Sequence, residues 1–416
     1  MEIRHNRKNW IWIGQAILLI IPALFVELSH MQLSPVYESI IFGLAILGAA
    51  SLLAWAAEAA QMDISQSLAL AFLALIAVLP EYAVDLYFAI AAARDPQYAH
   101  YAVANMTGGN RLLIGIGWAI IPFLLWLGSR KKNGSLSLVK AGVNLEPAHR
   151  LEIAVLIVAT LYSFTIPLKG NLSLVDTVVL FGLFGVYLFL SSRAGAAAFE
   201  PEGPAACICV LPRPPRRIIT VAFFVLPAVA ILLFAEPFAN SLIAIGKDFG
   251  IDEFILVQWV APLASEAPEI IAVAIYALKG AGAAALGALV SSKVNQWTLL
   301  IGSLPLAYCL SLGAVGTLDM DFRQMEEVFL TSAQTAFAVV LVADMRLSLI
   351  EGIVLFVLFV GQLLFPIPEV RYAFAFFYLA AALFILLRDK SRIRAIGLML
   401  RSTAQQLFHR NNQKDK

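Results

Sequence analysis

Twelve apolar segments, each long enough to cross a bilayer, recur along this chain of 416 residues. They fall at about 10–28, 36–60, 66–93, 97–128, 149–168, 172–192, 218–247, 252–279, 281–312, 326–344, 347–366 and 369–388. In lipid every backbone polar group must be satisfied by the protein itself, and apolar segments of this length do so as helices, so the chain reads as an all-α polytopic membrane protein. Composition agrees where it matters. With 61% hydrophobic residues and a mean hydropathy of +0.83, little is left to build a soluble surface. The first apolar run is too long for a cleavable signal and lacks a small-residue cleavage site, so it reads as a span. Segment 97–128 is too long for one straight span at about 1.5 Å per residue, and Gly108-Gly109 and Pro122 are the expected break points.

Charge sets the orientation. With the N-terminus inside, twenty-two Lys and Arg fall on cytoplasmic segments and five outside: Arg94, Lys169, Lys247, Arg323 and Arg371. Arg111 and Lys293 remain within the membrane. Both termini are therefore expected in the cytoplasm, in a plasma (inner) membrane. The chain divides into an extra N-terminal helix (1–35), five helices (36–192), a Pro- and Arg-containing cytosolic linker (193–217), five more helices (218–366), an extra C-terminal helix (367–390) and a basic tail (391–416). Five is odd, so the second set enters from the opposite side and the halves are expected to be inverted repeats. Internal likeness supports the division: Leu172-Ser173-Leu174-Val175-Asp176 opens one fifth helix, and Leu347-Ser348-Leu349-Ile350-Glu351 opens the other. The linker, with five prolines, is expected to be irregular. The tail has apolar residues at helical spacing and reads either as a helix on anionic lipid or as disordered.

Chemistry concentrates in two Pro-interrupted helices. In Ala264-Ser265-Glu266-Ala267-Pro268-Glu269, two carboxylates three residues apart share a helix face. Pro268 leaves the Ala264 carbonyl without its helix donor, and Pro262 does the same for Gln258. Leu79-Pro80-Glu81-Tyr82 repeats the Pro-Glu pair, freeing the carbonyl of Ile76, and Asp85 follows one turn later. Intramembrane carboxylates are costly enough to mark function, and carboxylates beside freed carbonyls suit a hard cation such as Ca²⁺. The plain alternative is that these carboxylates satisfy backbone groups near helix breaks. Their matched placement in two halves favours a transport site.

These residues resemble the sodium/calcium exchanger superfamily of cation/Ca²⁺ antiporters. Its repeats carry a Gly-Thr-Ser-Leu-Pro-Glu-Leu stretch on one helix and Gly-Asn-x-x-Gly-Ser-Asn on the next. Here the second repeat has Ala264 to Ile270, then Gly287-Ala288-Leu289-Val290-Ser291-Ser292-Lys293. The first has Ile76-Ala77-Val78-Leu79-Pro80-Glu81-Tyr82, then Ala104-Asn105-Met106-Thr107-Gly108-Gly109-Asn110. The resemblance covers about 36–366. It implies Glu81 and Glu269 as paired Ca²⁺ ligands, with Ser265, Ser292 and Asn110 at family positions. Ala77 and Val78 depart from it, as do Glu266, Gly109, Lys293, Leu113 and Gln296, so the family's sodium sites are poorly reproduced.

The remaining polar residues carry two readings each. Asp85 and Glu266 either surround the ion or pair with an intramembrane cation. Lys293 and Arg111 either neutralise excess carboxylate or stand where a transported monovalent cation would sit, and both readings predict ion pairs. Asn105, Asn110 and Gln296 offer amide oxygens, or simply hold helices together. Cys207-Ile208-Cys209 is read as ordinary linker. The five histidines lie in loops or near segment ends, so no His-ligated catalytic metal is indicated, and the sequence has no Walker A loop to power a pump. No enzyme activity, cofactor or nucleic-acid partner is expected. The expected function is secondary antiport of a divalent cation, Ca²⁺ first, against Na⁺ or H⁺. The alternatives are a proton-coupled exchanger of another cation and a non-transporting scaffold or sensor with the same fold.

Overall fold

A computed structural model describes residues 2–63, 79–133, 142–193, 203–365 and 367–408. Nearly all of these are helical. Nine helices among the described residues are long and apolar enough to cross a membrane. Of the other three expected spans, 66–93 is described only from Leu79, 281–312 is interrupted by a π-helical turn, and 347–366 contains a helix of 16 residues. The chain forms two compact units, residues 1–89 with 195–269 and residues 90–194 with 270–416.

The first unit contains α1 (Glu2–Ser29), α2 (Pro35–Ala60), most of α3 (Leu79–Ala92), α9 (Gly203–Cys209), α10 (Arg213–Phe249) and the larger part of α11 (Glu253–Lys279). Proline at the first position starts α2, where a missing N–H costs nothing. Helix α10 runs along α2, with Phe42 against Phe234 at 5.6 Å between ring centroids. Helix α1 also lies on α2, close enough at Gly48 that a Cβ there would sit 2.5 Å from the Ala16 carbonyl oxygen. At 37 residues α10 is about 55 Å long, so it overshoots a hydrocarbon core of about 30 Å. Its basic end is fixed by Asp63, which accepts from Arg216 Nε at 2.7 Å, Arg216 Nη2 at 3.0 Å and Arg217 Nε at 3.1 Å. These guanidiniums, Arg216 first, hold the Asp63 carboxyl down at about 2. Gly250, at φ 64°, ends α10 in a left-handed turn that a side chain would strain.

The expected irregular linker is helical where it is described. Gly203-Pro204 opens α9, and Pro212, Pro214 and Pro215 gather at the start of α10, where proline is tolerated. Pro201 lies outside the described residues. Cys207 and Cys209 are buried in α9 as free thiols, and burial raises both pKa values.

The second unit holds α4 (Gln97–Leu112), a π-helical turn at Leu113–Trp118, α5 (Ala119–Asn133), α6 (Arg150–Ser163), α7 (Thr165–Lys169) and α8 (Leu174–Ser191). After α11 come α12 (Gly282–Asn295), a second π turn at Gln296–Leu300, α13 (Ile301–Leu312), α14 (Phe322–Val342), α15 (Leu349–Leu364), α16 (Pro368–Arg388) and α17 (Lys390–Phe408). The expected breaks lie elsewhere. Gly108-Gly109 stays inside α4 and Pro122 inside α5; the irregularity is the π turn just before Pro122. The second π turn likewise precedes Pro305. A proline removes a donor from the helix, and a local π turn lets the freed carbonyls find others.

Four short strands join the connections of this unit. β1 (Gly142–Asn144), before α6, pairs antiparallel with β4 (Arg346–Ser348), before α15. β2 (Asn171–Leu172), before α8, pairs antiparallel with β3 (Leu318–Asp319), before α14. Packing follows the same exchange, with α8 on α13 and α15 on α5. The two matched openings are both capping boxes: Ser173 N donates to Asp176 at 2.7 Å and Ser348 N to Glu351 at 2.8 Å. Helix α14 is the most enclosed of the nine apolar helices among the described residues, with 83% of the residues in its apolar stretch buried. The tail forms a helix, α17, whose Arg392 donates to the carbonyls of Val340 and Leu341 at 2.9 and 2.6 Å and so caps the end of α14.

Candidate functional site

In the first unit the carboxylates come together. Glu81 stands in the first turn of α3, and Glu266 and Glu269 share a face of α11. Each offers an oxygen within 4.8 Å of the other two. Glu266 is 0% exposed and Glu81 5%. Ser265 is buried beside them, its hydroxyl donating weakly to the carbonyls of Ala261 and Pro262 at 3.4 and 3.3 Å. Asp85 is also buried, one turn beyond Glu81, and lies outside the three-carboxylate group. Ile76, Ala77 and Val78 lie outside the described residues. Every ligand atom in this group is a hard oxygen. Three carboxylates, some bidentate, supply much of the six to eight oxygens that Ca²⁺ takes, and the absence of His and Cys from the group argues against a softer metal.

The polar residues of the second unit are buried as well: Asn105, Asn110, Arg111, Ser292, Lys293 and Gln296. The Lys293 ammonium donates to the Asn110 side-chain oxygen at 2.6 Å and to its carbonyl at 3.2 Å. It also lies 4.2 Å from the centroid of the Trp297 ring, a cation–π contact. Asn110 Nδ2 donates back to the Met106 carbonyl at 2.8 Å, which fixes its oxygen toward the lysine. Gln296 opens the second π turn, and the first begins three residues after Asn110. Such turns recur at functional sites because they re-aim backbone and side chains at once.

Arg111 finds its partner in a residue not singled out from the sequence. Its Nη2 donates to Glu327 on α14, and Arg371 Nη1 on α16 donates to the other oxygen of the same carboxylate. Glu326 lies beside them, with Arg371 Nε at 3.8 Å. Gln258, whose carbonyl Pro262 leaves without its helix donor, is 0% exposed on α11.

The sodium/calcium exchanger protein family model matches residues 36–193 and 219–367. The chain belongs to the sodium/calcium exchanger family. Among solved structures, it is similar to the H⁺/Ca²⁺ exchanger CAX, with 40% identity and a TM-score of 0.90 over 97% of this chain and 99% of that one. It shares its fold with native YfkE, at 15% identity and a TM-score of 0.60 over 85% of this chain and 98% of that one. It also resembles the sodium-calcium exchanger NCX_Mj soaked with 10 mM Na⁺ and zero Ca²⁺, at 16% identity and a TM-score of 0.51 over 79% of this chain and 98% of that one. Comparison with curated protein sequences gives no match. The all-α polytopic architecture is thus that of an exchanger. Helices α1, α9, α16 and α17 lie outside the matched residues.

Proposed function

We propose that this exchanger-family chain moves Ca²⁺ across its membrane in exchange for protons. The observation that carries the reading is the trio Glu81, Glu266 and Glu269, with oxygens within 4.8 Å of one another. Three carboxylates so close repel one another unless a divalent cation or protons are present. Binding one displaces the other, which is the coupling an antiporter needs. Likeness to the H⁺/Ca²⁺ exchanger CAX over nearly the whole chain supports the proton as counter-ion. Glu81 and Glu269 are the principal ligands, Glu266 the added carboxylate, and Ser265 and the carbonyls freed by Pro262 and Pro268 are neutral donors. Asp85 is a further carboxylate of the first unit, and Ser292, Asn105, Asn110 and Gln296 are the polar equipment of the second unit. Proteoliposomes loaded with Ca²⁺ and given a pH gradient without Na⁺ should exchange the two ions. Exchange driven only by a Na⁺ gradient would replace H⁺ by Na⁺ in this reading, and no flux under either gradient would favour a non-transporting protein.

The halves 36–192 and 218–366 act as inverted repeats on this reading. Its support is the exchange of partners: the strand before the fourth helix of each half pairs with the strand before the fifth helix of the other. The twin capping boxes and twin π turns agree. With both termini cytoplasmic, residue 205 is cytoplasmic too. A reporter fused there that reads as external would overturn the topology.

A further inference from the structure

The charged group near the start of α14 contains two arginines and two glutamates but shares them unequally. Glu327 takes one guanidinium on each oxygen, from Arg111 and from Arg371. Glu326, the residue before it, is 0% exposed, and neither of its oxygens receives a hydrogen bond among the described residues. Arg371 Nε stands 3.8 Å from its Oε1, beyond hydrogen-bond reach. We propose that Glu326 is a proton-binding site of the second unit, protonated in the arrangement seen and ionised when Arg371 turns its Nε onto it.

The four side chains differ in what they can change. A guanidinium can only donate, and Arg111 and Arg371 both do so here. Glu327 accepts two donors, one per oxygen. Glu326 alone can change charge without breaking a bond. As a carboxylate it would bring two guanidiniums and two carboxylates to neutrality, and it would need donors that it lacks here. As a carboxylic acid it needs none, and the group carries one excess positive charge. The two effects oppose, which is the condition for binding and releasing a proton. Glu326 lies four residues beyond Phe322, about 6 Å along the helix. The proton's route to water at that end is therefore short, although Tyr372 packs against Phe322 and Phe329 nearby, at 5.8 and 6.0 Å between ring centroids.

Other charged groups face Glu326 from each neighbouring element. Arg323 and Glu327 act on it from α14, Arg371 and Tyr372 from α16, and Arg111 from α4. Tyr378 of α16 stands beside Arg111. Helices α6 and α7 bring Tyr162 and Lys169, both bonded to Asp176. His100 of α4 sits 3.2 Å from Asp321, the N-cap of α14.

Infrared difference spectra of the purified full-length protein, taken without Ca²⁺ between about pH 8 and about pH 5, read carboxyl protonation directly. The wild type should show a protonated-carboxyl band that loses one carboxyl's intensity in Glu326→Gln and none in His100→Gln. Glu327→Gln should lose the same intensity although Glu326 is present, because the guanidinium of Arg371 then gives up its bond to Glu327, turns onto Glu326 and holds it ionised. A band of wild-type size in Glu326→Gln, or an undiminished one in Glu327→Gln, overturns the proposal. So does a Glu326→Gln protein that fails to fold, since the amide copies the protonated form. No Ca²⁺ enters the readout, so its failure is separate from failure of the exchange reading.

Discussion

Glu266 is the residue whose replacement tests the coupling most directly. At 4.8 Å or less, two ionised carboxylates repel by at least about 3.5 kcal/mol at an effective dielectric of about 20, before any counter-charge is counted. Three mutual pairs make about 10 kcal/mol, and Glu266→Gln removes two of the pairs, about 7 kcal/mol. Without Ca²⁺ the wild-type trio relieves all three repulsions by holding about two protons and one charge; with Ca²⁺ all three carboxylates ionise. The bound site then has the same net charge, minus one, in both states, and exchange moves no net charge. In Glu266→Gln the Ca²⁺-free site holds about one proton and the Ca²⁺-bound site is neutral, so each cycle moves charge. The assay is proton release per Ca²⁺ bound in weakly buffered detergent solution, with transport current recorded in proteoliposomes. Release should fall by about one proton and a current should appear. A folded Glu266→Gln protein that binds Ca²⁺, releases as many protons as the wild type and carries no new current would remove Glu266 from the coupling.

Three further outcomes are expected. Glu81→Gln and Glu269→Gln should each abolish Ca²⁺ binding in calorimetry while the protein elutes as a folded species, since the amide keeps the shape but not the charge. Lys293→Asn removes the ammonium bonded to Asn110 and should make Ca²⁺ flux respond to Na⁺ or lose its pH dependence; an unchanged ion dependence and current would leave Lys293 as a structural counter-charge. Asp63, lowered from 3.8 to about 2, stabilises the fold fully above its unfolded value and loses that contribution as pH falls toward its folded value. Asp63→Asn should therefore flatten the decline of melting temperature over that acid range, and an identical slope in wild type and variant would contradict the pairing.

What the sequence made legible follows from where charge stands in an apolar run. Glu81 and Glu269 were visible because a Pro-Glu pair deep inside a span is costly and occurs twice. Glu326, Glu327 and Arg371 escaped notice for the opposite reason. They sit within a turn or so of segment ends, where charged residues ordinarily meet water, so hydropathy starts segment 326–344 at the first glutamate and the charge rule assigns Arg371 to the outside. The helix actually begins at Phe322 and is surrounded by protein. Hydropathy records how apolar a span is, and it does not tell lipid from a neighbouring helix as the surroundings. The π turns were hidden similarly: Gly108-Gly109 and Pro122 looked like breaks, whereas the strain of Pro122 is absorbed one turn upstream.

Lys293 joins these strands into a view of ion choice. The resemblance gives Asn110 as an ion ligand, and an amide oxygen is a natural ligand for a hard monovalent cation. In this chain that oxygen already accepts from an ammonium, at 2.6 Å, and the same ammonium also takes the Asn110 carbonyl. The amide nitrogen is engaged by Met106, so the side chain cannot simply rotate to offer its oxygen elsewhere without losing two bonds. On the proposed reading, a covalently attached cation occupies a place that a free Na⁺ would need to win. A proton does not compete for such a place, because it binds a single carboxylate and needs no shell of oxygens. The departures from the family pattern at Lys293, Leu113 and Gln296, with a third carboxylate at Glu266, therefore point the same way: fewer oxygen cages for sodium and more groups that can carry a proton.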